Sequence, residues 1–364
     1  MSTAVHVVIP ADVDDPKAPS GGNSYDRRVC DGLAALGWRV SEHAVRGSWP
    51  RPGRYERAEL AGVLAALPDD AVVLLDGLVA CAVPDIVVPE ADRLRLAVVV
   101  HLPLGDETGL TPDEAAGLDA LERETLRAAT AVVATSDWTA RRLVDHHGLP
   151  AARVRVVTPG VDPAPLAAGT DGASQLLCVA AVTPRKGQDV LVEALSSVTD
   201  LYWSCTFVGG LDRAAGYVDR IRRLIETYDL GGRIRLVGPR IGADLAANYT
   251  AADLLILASH AEPYGMVVTE ALSRGIPVLA TAVDGVPEAL GHTHDGSVPG
   301  MLVPAGDPAA LAEALRHWLG HADTRHRLRS AARDRRGTLR GWEVTTQSMA
   351  DVVRQLYREP RRTA

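Results

Sequence analysis

The sequence contains little cysteine, few aromatic residues and almost no lysine. Its 364 residues include four cysteines, one phenylalanine and 4 % aromatic residues, and the only lysines are Lys17 and Lys186. The cysteines are far apart, in or beside apolar segments, at Cys30, Cys81, Cys178 and Cys205. This distribution is typical of reduced core residues in a cytoplasmic protein, and it argues against disulfides and against a zinc site.

Long apolar runs and an excess of positive charge are also absent. No run approaches the ~20 residues that a membrane-spanning helix needs. A strand-like segment at residues 5–9 begins almost at once, so we expect no secretory signal. A net charge of -8 gives no basic surface for nucleic acid. With 47 % hydrophobic and 23 % charged residues, the sequence predicts a globular protein, and its length favours two domains.

Two common phosphate-binding fingerprints are missing. There is neither G-x-G-x-x-G nor G-x-x-x-x-G-K-[ST]. The predicted strand at 5–9 is instead followed by a loop containing Gly21 and Gly22, and then by a predicted helix at 24–36. Strand, glycine-rich loop and helix are typical of the start of a doubly wound sheet. The glycine pair either lets the backbone approach a phosphate or is an ordinary loop pair.

Apolar runs alternate with helical patterns along the whole chain. This alternation indicates βαβ units and a parallel sheet. Residues 159–174 are rich in Pro, Gly and Ala, lack periodicity and predict a linker between two α/β domains. The predicted strands beyond residue 70 are 72–75, 96–100, 131–135, 154–157, 176–180, 206–208, 234–237, 254–257 and 276–280.

The segment 259–290 carries two acids around a predicted helix at 266–274. If the segment were helical, Glu262 and Glu270 would lie ~12 Å apart at ~1.5 Å per residue. Paired glycosidase carboxyls lie about 5–9.5 Å apart, so this pair suits two ends of one extended ligand better. The helix N-terminus between the acids favours a phosphate, and such a ligand is a nucleotide sugar. The alternative is a capping acid and a solvated helix acid.

Two further places in the sequence contain candidate site residues: a cationic turn before a helix and a histidine after a strand. Arg185 and Lys186 form a cationic turn before a predicted helix, where positive charge is unfavourable unless an anion binds. Lys186 is one of two lysines, which favours a specific role over a solvated basic turn. His101 follows the predicted strand 96–100, and open α/β sheets place their sites at such carboxyl ends. A structural role for His101 stays open.

Three segments together resemble a known family. The sequences E-P-Y-G-M-V-V-T-E-A-L, G-I-P-V-L-A-T and D-G-V-P-E-A-L resemble the donor site of the retaining glycosyltransferases of family 4, which carry an E-x7-E motif. The resemblance implies the GT-B fold: α/β, with two Rossmann-like doubly wound parallel-sheet domains facing across a cleft. Residues 1–160 would bind the acceptor and 161–340 the donor, and a helix in 341–364 would cross back to the first domain.

The resemblance also implies roles for individual residues. Glu262 would contact the donor sugar and Glu270 the ribose, while Arg185 and Lys186 would hold the diphosphate. His101 would lie near the acceptor and the transferred sugar. The implied donor-binding positions are Gly21, Gly22, Gly209, Arg240, Tyr264, Gly265, Met266, Val267 and Glu270.

The chain departs from the family pattern at two places. Gly285-Val286 replaces the common Gly-Gly, and Ala180-Ala181 stands where a Gly-Arg pair is common. The second change removes one cation from the diphosphate site. We expect Arg185 to replace it; Arg240, or weaker charge compensation, are the alternatives.

The predicted function is therefore retaining transfer of a sugar from a nucleotide-diphosphate sugar to a small-molecule or lipid acceptor. The resemblance implies no cofactor and no metal ion. Asp12-Val13-Asp14 is interpreted as a solvated acidic turn, and no His/Cys group has ligand spacing along the sequence. Two alternatives remain: a nucleotide-sugar epimerase or phosphorylase on the same fold, or a non-catalytic nucleotide-sugar-binding protein.

Overall fold

A computed structural model describes residues 4–17 and 19–358, which divide into two compact units. The first unit contains residues 4–15, 21–160 and 342–358, and the second contains 16–17, 19–20 and 161–341. Each unit holds a six-stranded parallel sheet with helices between successive strands. The fold class predicted from the sequence, α/β with two doubly wound parallel-sheet domains, is confirmed.

The sheet of the first unit has the strand order β2-β1-β3-β4-β5-β6. Its strands are β1 (Ala4–Pro10), β2 (Arg39–Val45), β3 (Val72–Asp76), β4 (Arg95–Val100), β5 (Ala131–Ala134) and β6 (Val154–Val156). Its first six helices are α1 (Gly21–Ala35), α2 (Arg54–Ala65), α3 (Gly77–Ala80), α4 (Pro84–Val87), α5 (Pro112–Ala128) and α6 (Asp137–His147).

The sheet of the second unit has the order β12-β11-β10-β7-β8-β9. Its strands are β7 (Gln175–Val179), β8 (Ser204–Val208), β9 (Ile234–Leu236), β10 (Leu254–Leu257), β11 (Val278–Thr281) and β12 (Gly300–Val303). Its helices are α7 (Gln188–Ser196), α8 (Ala215–Thr227), α9 (Gly242–Thr250), α10 (Met266–Leu272), α11 (Val286–Leu290), α12 (Pro308–Gly320) and α13 (Ala322–Arg335). The last helix, α14 (Trp342–Arg358), belongs to the first unit.

Helices cover both faces of the first sheet, so β3 is apolar from Val72 to Leu75 and polar only at its last residue, Asp76. Val73 and Leu75 join a buried cluster with side chains of α2, whereas Val72 and Leu74 pack with side chains of α1 and α14. This division follows from the period of two along a strand. A strand buried on both faces shows no alternation of polar residues, which is why the apolar runs identified the strands in the sequence.

A glycine allows the last helix to pack closely in the first unit. A Cβ atom at Gly32 of α1 would lie 2.1 Å from Thr346 Oγ1 of α14. The neighbouring Thr345 Oγ1 donates a hydrogen bond to the Thr158 carbonyl, 2.8 Å away. A larger residue at position 32 would therefore push α14 away from the core.

The structure corrects several boundaries. Helix α1 begins at Gly21, so the predicted loop glycines, Gly21 and Gly22, lie in its first turn. Helix α10 ends at Leu272, before a turn closed by Gly275 with φ +69°. Strand β11 begins only at Val278 because Pro277 has no N–H to donate. The sequence analysis missed strand β12 and helices α2, α3, α4, α9 and α11, whose apolar patterns are short or weak.

The prediction of unpaired core cysteines is confirmed, since all four are free and buried. Every helix within residues 4–17 and 19–358 is too short or too polar to span a lipid bilayer.

Candidate functional site

A cationic turn lies at the carboxyl end of β7, in the second unit. Residues Pro184–Lys186 form a 3₁₀ turn, and Gly187 with φ +62° leads into α7. A Cβ at Gly187 would lie 2.2 Å from the Ala258 carbonyl oxygen, so only glycine lets the turn approach the end of β10. His260 N–H donates to the Arg185 carbonyl at 2.8 Å. The turn and the loop after β10 are therefore held together.

Lys186 and Glu262 form an ion pair at this junction. The Lys186 ammonium donates to Glu262 Oε2, and their side chains are 14 % and 12 % exposed. Ser259 Oγ donates to the same oxygen at 3.2 Å. The Glu262 backbone N–H donates to Asp284 Oδ2 at 2.7 Å, which fixes the loop that carries the acid.

The charges in this group act on one another. Burial raises the pKa of Glu262, but the positive charges of Lys186 and Arg185 outweigh burial and hold that pKa below its usual range. Burial and the charge of Arg185 lower the pKa of Lys186, against the effect of Glu262. Arg185 itself donates to the Ala261 carbonyl at 3.1 Å. Two predicted cations and one predicted acid thus meet in one place.

Glu270 lies on α10 and is positioned by a residue that the sequence analysis missed. The buried Tyr249, on α9, donates its hydroxyl to Glu270 Oε2 at 2.7 Å. Arg274 lies 4.5 Å from the centre of the Tyr249 ring and donates to the Glu270 carbonyl at 2.7 Å. Burial raises the pKa of Glu270, although Tyr249 and Arg274 act in the opposite direction.

Backbone geometry accounts for two of the predicted donor-binding glycines. A Cβ at Gly209 would lie 2.0 Å from the Ala180 carbonyl oxygen, so glycine is required where the ends of β7 and β8 meet. Gly265, with φ +91°, caps the start of α10 in the left-handed region. The Gly209 N–H donates to the Gly238 carbonyl at 3.0 Å, and Gly265 is buried.

The remaining predicted donor-binding residues of this unit have different surroundings. Tyr264 and Val267 pack against the apolar cluster around α10 and β11. Met266 is the half-buried first residue of α10. Arg240 lies after β9, is 43 % exposed and faces Asp244 at 3.9 Å. Tyr264 and Val267 therefore offer a ligand chiefly their backbone groups.

A second polar group lies in the first unit, at the carboxyl ends of β3 and β4. His101 Nε2 is 2.9 Å from Asp26 Oδ1 and 3.5 Å from Asp76 Oδ2. Both aspartates are buried, and the His101 side chain is 20 % exposed. A Cβ at Gly22 would lie 3.3 Å from the imidazole, so a side chain there would press on His101. Gly22 is thus beside His101 in the fold, whereas Gly21 is the exposed first residue of α1.

Burial and mutual charge set the protonation of this group. Burial, with the charge of Asp26, raises the pKa of Asp76 to about 8. Burial lowers the pKa of His101, but Asp26 and Asp76 outweigh it and raise that pKa to about 9. Asp76 Oδ1 also accepts from the Leu78 N–H at 2.6 Å, as the N-cap of α3. Both shifts favour the protonated forms of His101 and Asp76.

The fold brings together residues that spacing along the sequence had kept apart. One donor atom each from Asp26, Asp76 and His101 lies within 4.8 Å of the other two, close enough for a metal ion to bind. Spacing along the sequence thus shows no His group that could hold a metal ion, whereas the fold brings such a group together. Asp76 could have been found, because it follows the apolar run 72–75 just as His101 follows 96–100.

Two family models together match most of the chain. Residues 166–335 match the family described as Glycosyl transferases group 1, and residues 19–165 match Glycosyltransferase Family 4. The chain belongs to the family 4 glycosyltransferases, of the GT-B fold class.

Curated relatives of the chain are named as glycosyltransferases. A D-inositol 3-phosphate glycosyltransferase of Kineococcus radiotolerans is 32 % identical over 269 residues, which are 68 % of this chain and 62 % of the relative. A protein of the same name from Mycobacterium tuberculosis is 29 % identical over 279 residues, 72 % of this chain and 56 % of the relative. The chain thus spans about six tenths of the length of these relatives.

Solved structures support the fold. A sucrose-phosphate synthase of Thermosynechococcus elongatus has a TM-score of 0.79 at 22 % identity and covers 98 % of this chain and 99 % of its own. Anabaena HepE in complex with UDP and glucose has a TM-score of 0.73 at 17 % identity, over 97 % of this chain and 100 % of its own. At these identities the likeness concerns the architecture alone.

Proposed function

We propose that the protein transfers a glycosyl group, with retention of configuration, from a nucleoside-diphosphate sugar to a hydroxyl of a small-molecule or lipid acceptor. The observation that carries this proposal is the meeting of Arg185, Lys186 and Glu262 at the ends of β7 and β10. Such a donor needs two cations near its diphosphate and one acid that accepts from a sugar hydroxyl. Membership of the family supports the same assignment.

Donor binding would exchange the partners of Lys186. A diphosphate carries more negative charge than one carboxylate, so it competes for the Lys186 ammonium and leaves Glu262 able to accept from a sugar hydroxyl. Glu270, fixed by Tyr249, would accept from the ribose hydroxyls.

In the proposed reaction, the bond from the anomeric carbon to the diphosphate oxygen breaks while the acceptor oxygen bonds to that carbon on the same face. The acceptor proton passes to the departing diphosphate, so the reaction needs no protein base. Arg185 and Lys186 stabilise the charge that develops on the leaving group. His101, protonated beside Asp26 and Asp76, donates from Nδ1 to a hydroxyl of the acceptor or of the transferred sugar.

No metal ion takes part in the proposed reaction. The two cations supply the charge compensation that a divalent ion would otherwise provide. We therefore expect the initial rate to be the same with and without added Mg²⁺ or Mn²⁺. A rate that requires either ion would show that the charge compensation is assigned to the wrong groups.

A donor screen with and without acceptor tests the proposal. The sugar nucleotides of UDP, GDP, ADP and TDP are mixed with the protein, and release of the nucleoside diphosphate is followed. Inositol 3-phosphate is the first acceptor to test, because the curated relatives carry it in their name. Retaining transfer is supported if release depends on the acceptor. The NMR coupling constant of the product should then show the same anomeric configuration as the donor.

The same experiment separates the alternatives. Binding of a sugar nucleotide with no release in the presence of any acceptor identifies a binding protein. Conversion of the sugar without an acceptor identifies an epimerase, and release of a sugar phosphate that depends on inorganic phosphate identifies a phosphorylase. Each of these three results contradicts the proposed transfer.

A further inference from the structure

We propose that Asp119, His146 and His147 bind a divalent transition-metal ion, zinc above all, that ties helix α5 to the end of α6. Asp119 lies in the middle of α5, and the two histidines form the last turn of α6. One donor atom from each residue lies within 4.8 Å of the other two. The site serves structure and is separate from the residues that carry the proposed transfer.

An unpartnered nitrogen points to a missing cation. His147 is 2 % exposed, and its Nδ1 has no hydrogen-bond partner among the residues that the structure describes. The nearest carboxylate oxygen, Asp119 Oδ1, lies 3.9 Å away. That separation is too long for a direct hydrogen bond. A buried polar atom without a partner is costly, so something belongs between these two atoms.

The hydrogen bond at the other side of the ring fixes its tautomer. His147 Nε2 lies 3.0 Å from Glu122 Oε2, and Glu122 is 1 % exposed. A carboxylate only accepts, so a ring hydrogen is on Nε2, and in the neutral ring the Nδ1 lone pair then faces Asp119. Metal-binding histidines commonly donate their second N–H to a carboxylate in this way. Glu122 Oε1 accepts from the Leu104 N–H at 3.2 Å, which holds the acid in place.

The remaining two atoms are close to ligand geometry. His146 Nε2 lies 2.5 Å from Asp119 Oδ1, and Arg123 donates to the other oxygen, Asp119 Oδ2, at 2.5 Å. Ligand atoms around tetrahedral zinc, at 2.0–2.1 Å from the metal, are about 3.3 Å apart. For zinc to bind, the distances from Asp119 Oδ1 to His146 Nε2 and to His147 Nδ1 would each have to change by less than about 1 Å. Arg123 keeps Oδ2 occupied and leaves Oδ1 for the ion.

The ligand set determines the kind of ion. Two imidazoles and one carboxylate suit zinc, whereas magnesium and calcium prefer oxygen ligands throughout. His146 is 39 % exposed, so a water molecule can reach the fourth position. Because Glu122 also holds the Leu104 N–H, the ion would stiffen the segment that follows His101.

Metal binding can be measured directly on the whole chain. After treatment with EDTA and dialysis, the protein should take up one Zn²⁺ per chain in calorimetry and show the absorption of a Co²⁺ site with nitrogen ligands. His146→Gln should weaken Zn²⁺ binding at least tenfold. Its side chain is partly exposed, so the variant is expected to fold. His294→Gln, which removes an exposed loop imidazole, is the matched control and should bind like the wild type.

Stability provides a second measurement. Zn²⁺ that binds only the folded protein raises the melting temperature with concentration in the wild type and in His294→Gln, but not in His146→Gln. Asp119→Asn should lose the same response. If the wild type takes up no Zn²⁺, or if His146→Gln binds it as tightly as the wild type, the site holds at most a water molecule and the proposal is wrong.

Discussion

His101 Nε2 lies 2.9 Å from Asp26 Oδ1, and both belong to a buried group that includes Asp76. The raised pKa values of His101, about 9, and Asp76, about 8, have a consequence for stability. In both cases the folded protein keeps a proton that the unfolded chain releases. The free energy of unfolding should therefore fall as pH rises, from about 4 to 8 through Asp76 and from about 6.5 to 9 through His101.

Asp76→Asn tests this pH dependence. The amide keeps an acceptor for the Leu78 N–H but removes the carboxyl that titrates, and it removes one of the charges that raise the pKa of His101. We expect the free energy of unfolding, from urea titrations between pH 5 and 9, to fall less steeply than in the wild type. Asp69→Asn, at an exposed carboxyl just before β3, should leave the slope unchanged. Equal slopes in Asp76→Asn and the wild type would rule out a raised pKa at Asp76.

Glu262→Gln should separate turnover from nucleotide binding. Because Glu262 is assigned to the sugar, the variant should lose about 10²- to 10³-fold in kcat, the typical effect of losing one group that stabilises developing charge. Lys186 keeps its charge, so the Kd of the free nucleoside diphosphate should change less than about threefold. Calorimetry and a release assay measure the two quantities.

Glu226→Gln is the control for this change, since Glu226 is on the exposed face of α8. A loss of affinity for the free nucleotide as large as the loss for the nucleotide sugar would place Glu262 on the diphosphate side of the site.

Glu270→Ala should weaken nucleotide binding. A hydrogen bond to a charged group is worth roughly 1.5–3 kcal/mol, so Kd should rise about 10- to 150-fold. Tyr249→Phe should weaken binding by a smaller factor, because it removes the hydroxyl that orients Glu270 but not the carboxylate. In the double variant the two effects should not add, as expected when one residue acts through the other.

Tyr202→Phe, at a tyrosine that is 80 % exposed, is the matched control and should bind like the wild type. An unchanged Kd in Glu270→Ala would remove Glu270 from the nucleotide site.

Arg185→Ala tests the replacement of the missing family cation. Arg185 is held by Ala261 beside the Lys186 ion pair, and its loss should lower kcat about 10²- to 10³-fold. Ala181→Arg should restore part of that loss, because it places a cation where the family commonly has one. Arg220→Ala, on the exposed face of α8, should have no effect on kcat. If Arg185→Ala keeps the full kcat while Lys186→Ala has a lower kcat, another residue supplies the second cation.

The sequence by itself determined the fold class and most of the strands. Strands buried on both faces are nearly continuous apolar runs, and the order of apolar run, turn and amphipathic segment admits few arrangements other than a parallel sheet. It also identified Arg185 and Lys186 as candidates, because positive charge is unfavourable at the start of a helix. Glu262 and Glu270 were identified because they belong to the E-x7-E motif. Helix boundaries were less certain, since α1 and α10 differ from their predicted limits by two or three residues.

Only the tertiary structure decided which of these residues meet. Lys186 and Glu262 are 76 positions apart in the chain, and the parallel pairing of β7 with β10 brings them together. Tyr249 and Asp26 gave no local signal strong enough to select them, because their roles depend on a partner on another element. The same holds for Asp119 and His147, whose facing atoms come close to each other only after α5 and α6 have packed. Charge and pattern are local properties, whereas proximity, burial and the resulting pKa values are properties of the folded chain.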